Sequence, residues 1–227
     1  MAAVYAPRAF TNKPDLMQGG AFTAIVNFKS GRVKKLAFTS SLAYFDPSCN
    51  PQTRTASFTA FRDDKTRLVT VDTSGKTSSD ATVTGQLTSA VPVRDGVIAA
   101  SGRRLVHLDQ AGTKVRTLVA TDGVPFDIRP TRSGVAFVDR HGATARTKLW
   151  NGKRTATLAS GPLGDVALKQ GGAGRVFLTG EPHNVRLSGT PVTRLRDHLI
   201  WRGKLLVVSR IVERLVPDEL WELFQRV

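Results

Sequence analysis

Apolar and polar residues alternate along Leu105-Val106-His107-Leu108-Asp109 and again up to Leu118, on either side of a turn spelled Asp109-Gln110-Ala111-Gly112. A period of two interrupted by a glycine turn predicts a β-hairpin. The same device recurs along the chain. Its turn glycines are Gly31, Gly75, Gly112, Gly152 and Gly189, spaced by 44, 37, 40 and 37 residues. Apolar residues close the hairpins at Leu36, Ala81, Leu118, Leu158 and Leu195. Leu68 to Gly75 matches Leu105 to Gly112 almost position for position, and Asn151-Gly152 predicts a two-residue hairpin turn. A short apolar run precedes three of these hairpins: Gly96-Val97-Ile98-Ala99, Gly134 to Val138 and Arg175 to Leu178. These runs predict more deeply buried strands.

Four strands in roughly 40 residues, repeated, is the pattern of a β-propeller blade, a unit that buries its faces only by stacking on neighbours. A β-sandwich with irregular hairpins is the competing all-β reading, and the common period argues against it. Residues 1–20 read as an irregular segment and 21–209 as the propeller. Within it, 21–38 forms one hairpin, four fuller blades cover 40–84, 86–119, 124–159 and 163–196, and 197–209 gives an inner hairpin without its outer pair. The two half-blades predict either a five-bladed ring closed by both ends or an open arc of a larger, truncated propeller.

Residues 210–227 differ in composition. Glu181 is the only glutamate before position 211, whereas Glu213, Glu219 and Glu222 crowd the end. Pro217 and the acids after it suit a helix start, and Leu220, Leu223, Phe224 and Val227 share one helical face. The run Arg214 to Phe224 resembles the opening of bacterial insertion-sequence transposases. That resemblance implies a mobile element joined to an interrupted propeller gene, with an ordinary packing helix as the alternative. Residues 1–209 resemble, in repeat layout, bacterial propeller proteins of the TolB and WD-repeat-like class. Trp150 and Trp201 are not followed by Asp, so no family site residue transfers. The resemblance implies an envelope protein; no export signal or membrane-spanning stretch is visible in the sequence to fix its location.

Charge then sharpens the picture. The chain carries +15 at neutral pH, and the acidic tail leaves the body near +17. Cations flank the hairpin turns: Lys34 and Lys35, Lys114 and Arg116, Lys153 and Arg154, Arg194 and Arg196, with Arg32 and Lys76 beside them. On outer strands they would form a basic rim for an anionic polymer or a protein partner, with salt-sensitive affinity. A solvated edge that resists strand pairing is the plainer reading. Nucleic acid is compatible with the charge, but no aromatic-basic motif supports it.

Catalytic signals are weak. Asp127 and Asp165 lie 38 residues apart, at equivalent places near inner strands, where carboxylates can act on a ligand or satisfy turn amides. The histidines His107, His141, His183 and His198 lack metal-ligand spacing and suit surface or turn positions, and Cys49 suits a loop or the core. Gly171-Gly172-Ala173-Gly174 precedes a strand rather than the helix a phosphate loop needs. No metal or other cofactor is expected. The sequence therefore predicts a non-enzymatic binding or scaffold propeller. A lactonase- or hydrolase-like propeller enzyme and a nonfunctional remnant or transposase-associated fusion are the alternatives.

Overall fold

The computed structural model describes residues 1–6, 13, 16–42, 47–113, 115–170, 176–178, 181–182, 192–195 and 198–201. These residues form antiparallel sheets joined in chain order. The first holds β1 (Ala2–Tyr5), β2 (Ala21–Val26) and β3 (Val33–Ser40). The second holds β4 (Ser48–Asn50), β5 (Thr55–Arg62), β6 (Lys65–Asp72) and β7 (Thr77–Thr84). The third holds β8 (Thr88–Val93), β9 (Gly96–Ala100), β10 (Arg104–Asp109) and β11 (Val115–Ala120). The fourth holds β12 (Phe126–Thr131), β13 (Gly134–His141), β14 (Thr144–Trp150) and β15 (Thr155–Pro162). Beyond these, β16 (Leu168–Gln170) pairs with β17 (Val176–Leu178), and β18 (Glu181–Pro182) adds to the free edge of β15. The pair β19 (Val192–Leu195) and β20 (His198–Trp201) forms a further hairpin.

Strand alternation stacks one sheet on the next. On β9, Val97 and Ala99 face the second sheet while Ile98 and Ala100 face the fourth. On β13, Val135 and Phe137 face the third sheet while Ala136 and Val138 face the β16–β17 hairpin. Both faces of the middle sheets are therefore apolar, and each successive pair of sheets encloses its own core. Phe58, Phe137, Leu105, Leu108 and Ile128 are fully buried in these layers, each stabilising the stack by about 1.5–3 kcal/mol. The first strands of successive sheets also pack on one another, β4 on β8, β8 on β12 and β12 on β16. This is the arrangement of blades about an axis, with β4, β8, β12 and β16 innermost.

Polar ties lock the layers. Asn50, on the innermost strand of the second sheet, is 5% exposed; its Nδ2 donates to Pro92 O in the third sheet at 2.8 Å, and its Oδ1 accepts the Gln52 amide. Asn50→Ala strands the Pro92 carbonyl inside the stack, and a loss of about 1–3 kcal/mol in urea unfolding is expected.

Side-chain caps shape the outer turns. Asp72 Oδ1 accepts the amides of Ser74 and Lys76 and the Ser74 hydroxyl, and these contacts, the hydroxyl first, hold its carboxyl below the usual range. Asp109 holds Thr113 in the same way, and Asn27 and Asn151 cap the corresponding turns of the first and fourth sheets. Gly75 and Gly112 supply the left-handed residue that closes a three-residue turn, at φ 78° and 71°.

Several expectations need correction. Residues 1–20 are not wholly irregular, because Ala2–Tyr5 is a strand registered against Phe22–Ile25. At the fourth-sheet turn the central residues are Gly152 and Lys153, not Asn151 and Gly152: Asn151 N donates to Arg154 O, and the Asn151 side chain caps from outside. Cys49 lies exposed on β4 rather than in a loop or the core, since its neighbour Asn50 takes the inward position. Residue 197 does not separate a blade from a new inner hairpin, because β19 and β20 pair directly across it. The tail 210–227, expected to be helical, the Gly171–Gly174 run and most of the hairpin expected around Gly189 lie outside the described residues.

Candidate functional site

In an antiparallel sheet the first-to-second and third-to-fourth strand turns share one end. Inter-sheet contacts align that end across neighbouring blades. Lys34 Nζ, from β3, donates to Ser74 O in the β6–β7 turn at 2.7 Å, and Ser79 Oγ, from β7, donates to Gln110 O in the β10–β11 turn. Each outer turn thus rests on the outer strand of the preceding sheet.

Between the second and third sheets this end opens into a cleft of about 400 Å³. Gln52, Thr53 and Thr55 line it from the β4–β5 turn, and Thr70, Ser78 and Ser79 from β6 and β7. Val93, Arg94, Gly96, Val97 and Gln110 form the opposite wall. Ser78 Oγ donates to Thr70 O, and Gln110 Nε2 donates to Arg94 O at 3.2 Å, so both walls are held by their own hydrogen bonds. Arg94 is the only charged lining residue, and no aromatic ring lines the cleft.

The predicted cations fall mostly at this end. Lys34, Lys35, Arg116, Lys153 and Arg154 are exposed beside the outer turns, with Arg32 and Lys76, while Arg54, Arg94 and Arg132 are exposed at the first-to-second strand turns. Lys34 is partly committed to Ser74 O. Arg194 lies on β19, and Lys114 and Arg196 lie outside the described residues. Of the carboxylates at the same end, Asp72 and Asp109 are engaged by turn donors, and Asp95, exposed beside Arg94, stands 3.3 Å from His107 Nε2. The opposite end is more even, with Arg62, Lys65, Arg103, Arg104 and Arg140 set against Asp63, Asp64, Asp122 and Asp165.

Asp127 sits in a bulge of β12 at φ 49°, as Ser89 does in β8 at φ 52°. Its Oδ2 accepts the Leu168 amide at 3.2 Å, and its Oδ1 stands 3.8 Å from Arg129 Nη2. Asp127 is therefore a tie between successive inner strands. Burial pulls the Arg129 guanidinium below its ordinary value, against the opposing pull of Asp127. Asp165 lies in the turn before β16, its amide donating to Pro162 O. Each carboxylate is followed by a buried residue, Ile128 or Val166, but Asp127 stands within β12 whereas Asp165 lies in the turn before β16. Among the described residues no three His, Cys, Asp or Glu side chains converge in a way that could hold a metal ion.

Sequence reasoning missed a charged cluster on the fourth sheet. Asp139 is 1% exposed; its carboxylate accepts the amides of Asp122 and Gly123 and pairs with Lys148 Nζ at 2.6 Å. Lys148 also meets Asp122 Oδ2 at 3.1 Å, near His141 and Arg146. His107, expected on a surface or in a turn, stands on β10 with most of its side chain covered, 3.3 Å from Asp95 Oδ1.

One solved structure that the chain resembles is TolB from Acinetobacter baumannii, at a TM-score of 0.50 and 14% identity. The match covers 76% of this chain and 45% of that one. The fold is β-propeller-like. The propeller-like chain thus spans less than half the length of the TolB chain it matches. A chain of a nidogen/laminin complex also aligns, at a TM-score of 0.43 and 16% identity, over 61% of this chain and 56% of that one. No protein-family model matches the sequence, and no curated protein aligns with it significantly. Among the described residues of the propeller-like chain, no helix is long and apolar enough to cross a membrane.

Proposed function

We propose that this propeller-like chain is a non-enzymatic binding module that holds an anionic polymer across the basic end of its sheets. The supporting observation is the one-sided charge. Arg32, Lys35, Lys76, Arg116, Lys153 and Arg154 lie exposed beside successive outer turns, outnumbering the carboxylates of that end, of which Asp72 and Asp109 are occupied by turn donors and Asp95 is exposed. Repetition of the blade repeats the charge, so a flexible polyanion meets a row of cations rather than a single pocket. Exposed charges of this kind act through the potential they sum to, and that attraction is screened over about 10 Å at 0.1 M salt.

Long-chain polyphosphate tests the reading, with neutral dextran as the control. Affinity is expected to fall by at least about tenfold between about 50 and 200 mM salt, as counterion release requires. Reversing two adjacent cations, Lys153→Glu with Arg154→Glu, is expected to weaken binding roughly tenfold at the lower salt without moving the urea midpoint, because both side chains are exposed. Binding that ignores salt and charge reversal, or equal binding of dextran, overturns the reading.

A further inference from the structure

We propose that the cleft between the second and third sheets binds a hexose carrying an anionic group, either the carboxylate of a hexuronate or the phosphate of a hexose phosphate. The inference deepens the polyanion reading above and rests on it, because the cleft opens at the same basic end. Its volume of about 400 Å³ is at the small end of the roughly 300–1,000 Å³ typical of small-molecule sites.

The lining sets the chemistry. Hydroxyls and the Gln52 amide reach the cleft from the second sheet and the Gln110 amide from the third, and only Val93 and Val97 contribute apolar side chains. Such walls offer both donors and acceptors, as the hydroxyls of a sugar ring require. A lipid tail would cover the Arg94 guanidinium and the Gln52 amide without pairing them, and a nucleobase would find no ring on which to stack.

Arg94 adds the charge preference. Its carbonyl is held by Gln110, while its guanidinium makes no ion pair or hydrogen bond with the described residues. The planar fork of an arginine matches two oxygens of a carboxylate or phosphate. The bonds from Ser79 to Gln110 O and from Ser78 to Thr70 O fix the walls before any ligand arrives, so little ordering remains for binding to impose.

Calorimetric titration of the full chain with galacturonate, glucose 6-phosphate, glucose and inorganic phosphate tests the site. At least one charged sugar is expected to bind at least tenfold more tightly than both glucose and phosphate. Preference for galacturonate identifies the carboxylate source, and preference for glucose 6-phosphate the phosphate source. Arg94→Ala is expected to weaken the charged sugar at least tenfold and bring it to the level of glucose. Ser78→Trp, which fills the cleft from an exposed strand position, is expected to abolish binding in a chain that still unfolds cooperatively, its urea midpoint lowered only by the loss of the Ser78 bond to Thr70 O. Retained sugar binding in the Lys153→Glu, Arg154→Glu chain, with polyphosphate binding weakened, supports a cleft separate from the outer turns. Charged sugars binding no better than glucose or phosphate, or binding that survives Ser78→Trp, overturns the cleft. If polyphosphate still binds in a salt-dependent way in that case, the basic-end reading stands.

Discussion

Gly96→Ala is expected to cost more than about 3 kcal/mol in urea unfolding and to leave little folded protein at 37 °C, because two penalties coincide at this position. Gly96 opens β9 at φ 149°, a conformation L side chains rarely adopt, and an added Cβ would lie 1.8 Å from Leu108 O and 2.9 Å from the Leu108 carbonyl carbon. The obstacle is backbone, so no rotamer change relieves it. Moving β10 away would disturb cores on both faces of the third sheet, since Leu105 faces one and Val106 and Leu108 the other. Gly134, 38 residues later, repeats the geometry at φ 137° with its added Cβ 2.0 Å from Trp150 O, and Gly134→Ala is expected to behave alike. Gly142 separates the two penalties. It has φ 61° and open space around it, so Gly142→Ala carries the conformational cost alone, about 1 kcal/mol. Equal losses at Gly96 and Gly142 would show that the close approach to β10 does not hold in solution.

That close approach also shows which features the sequence can reveal. The runs beginning at Gly96 and Gly134 are visible as repeated strand starts, and the Asp-x-x-Gly turns give the third-to-fourth strand hairpins. Blades expected at 40–84, 86–119 and 124–159 correspond to sheets whose strands span 48–84, 88–120 and 126–162. Period-two burial and turn glycines are local signals, and they suffice for this. Ala2–Tyr5 carries neither signal: it has four residues and no glycine follows it before Gly19, and it becomes a strand by pairing with β2. The basic end was legible because its cations sit beside the turns that define the repeat. The cleft was not, because its walls come from segments around 52, 70, 78, 94 and 110 whose polar residues individually look like ordinary loop and strand-end chemistry.

The cluster around Asp139 was illegible for a related reason. Asp139 follows the apolar run Gly134 to Val138 and looks like the polar end of a strand. Register sets Asp139 opposite Arg146, with Lys148 on the diagonal, and only that register reveals a buried ion pair. Asp139→Ala is expected to cost about 3–5 kcal/mol, since it leaves the largely covered Lys148 ammonium without its closer partner and strands the amides of Asp122 and Gly123. Charge is at issue as well as shape, so Asp139→Asn, nearly isosteric, should also lose much of the stability. The pH dependence has two arms. Burial lowers the Lys148 pKa, but bonds to Asp139 and Asp122 outweigh it and leave the group above the ordinary lysine value. Its contribution is therefore complete below about pH 10.4 and is lost as pH rises through the folded-state value. The Lys148 hydrogen bond, then its charge, holds Asp122 below the usual carboxylate range; that contribution is present above about pH 3.9 and is lost as pH falls through the depressed value. Thermal melts are thus expected to show a plateau at neutral pH with losses at both extremes. The alkaline loss should be smaller in Lys148→Met, and the acid loss smaller in Asp122→Asn. An unchanged alkaline limb in Lys148→Met, together with a wild-type midpoint in Asp139→Asn, would mean that the pair contributes nothing to holding the loop after β11 against the fourth sheet.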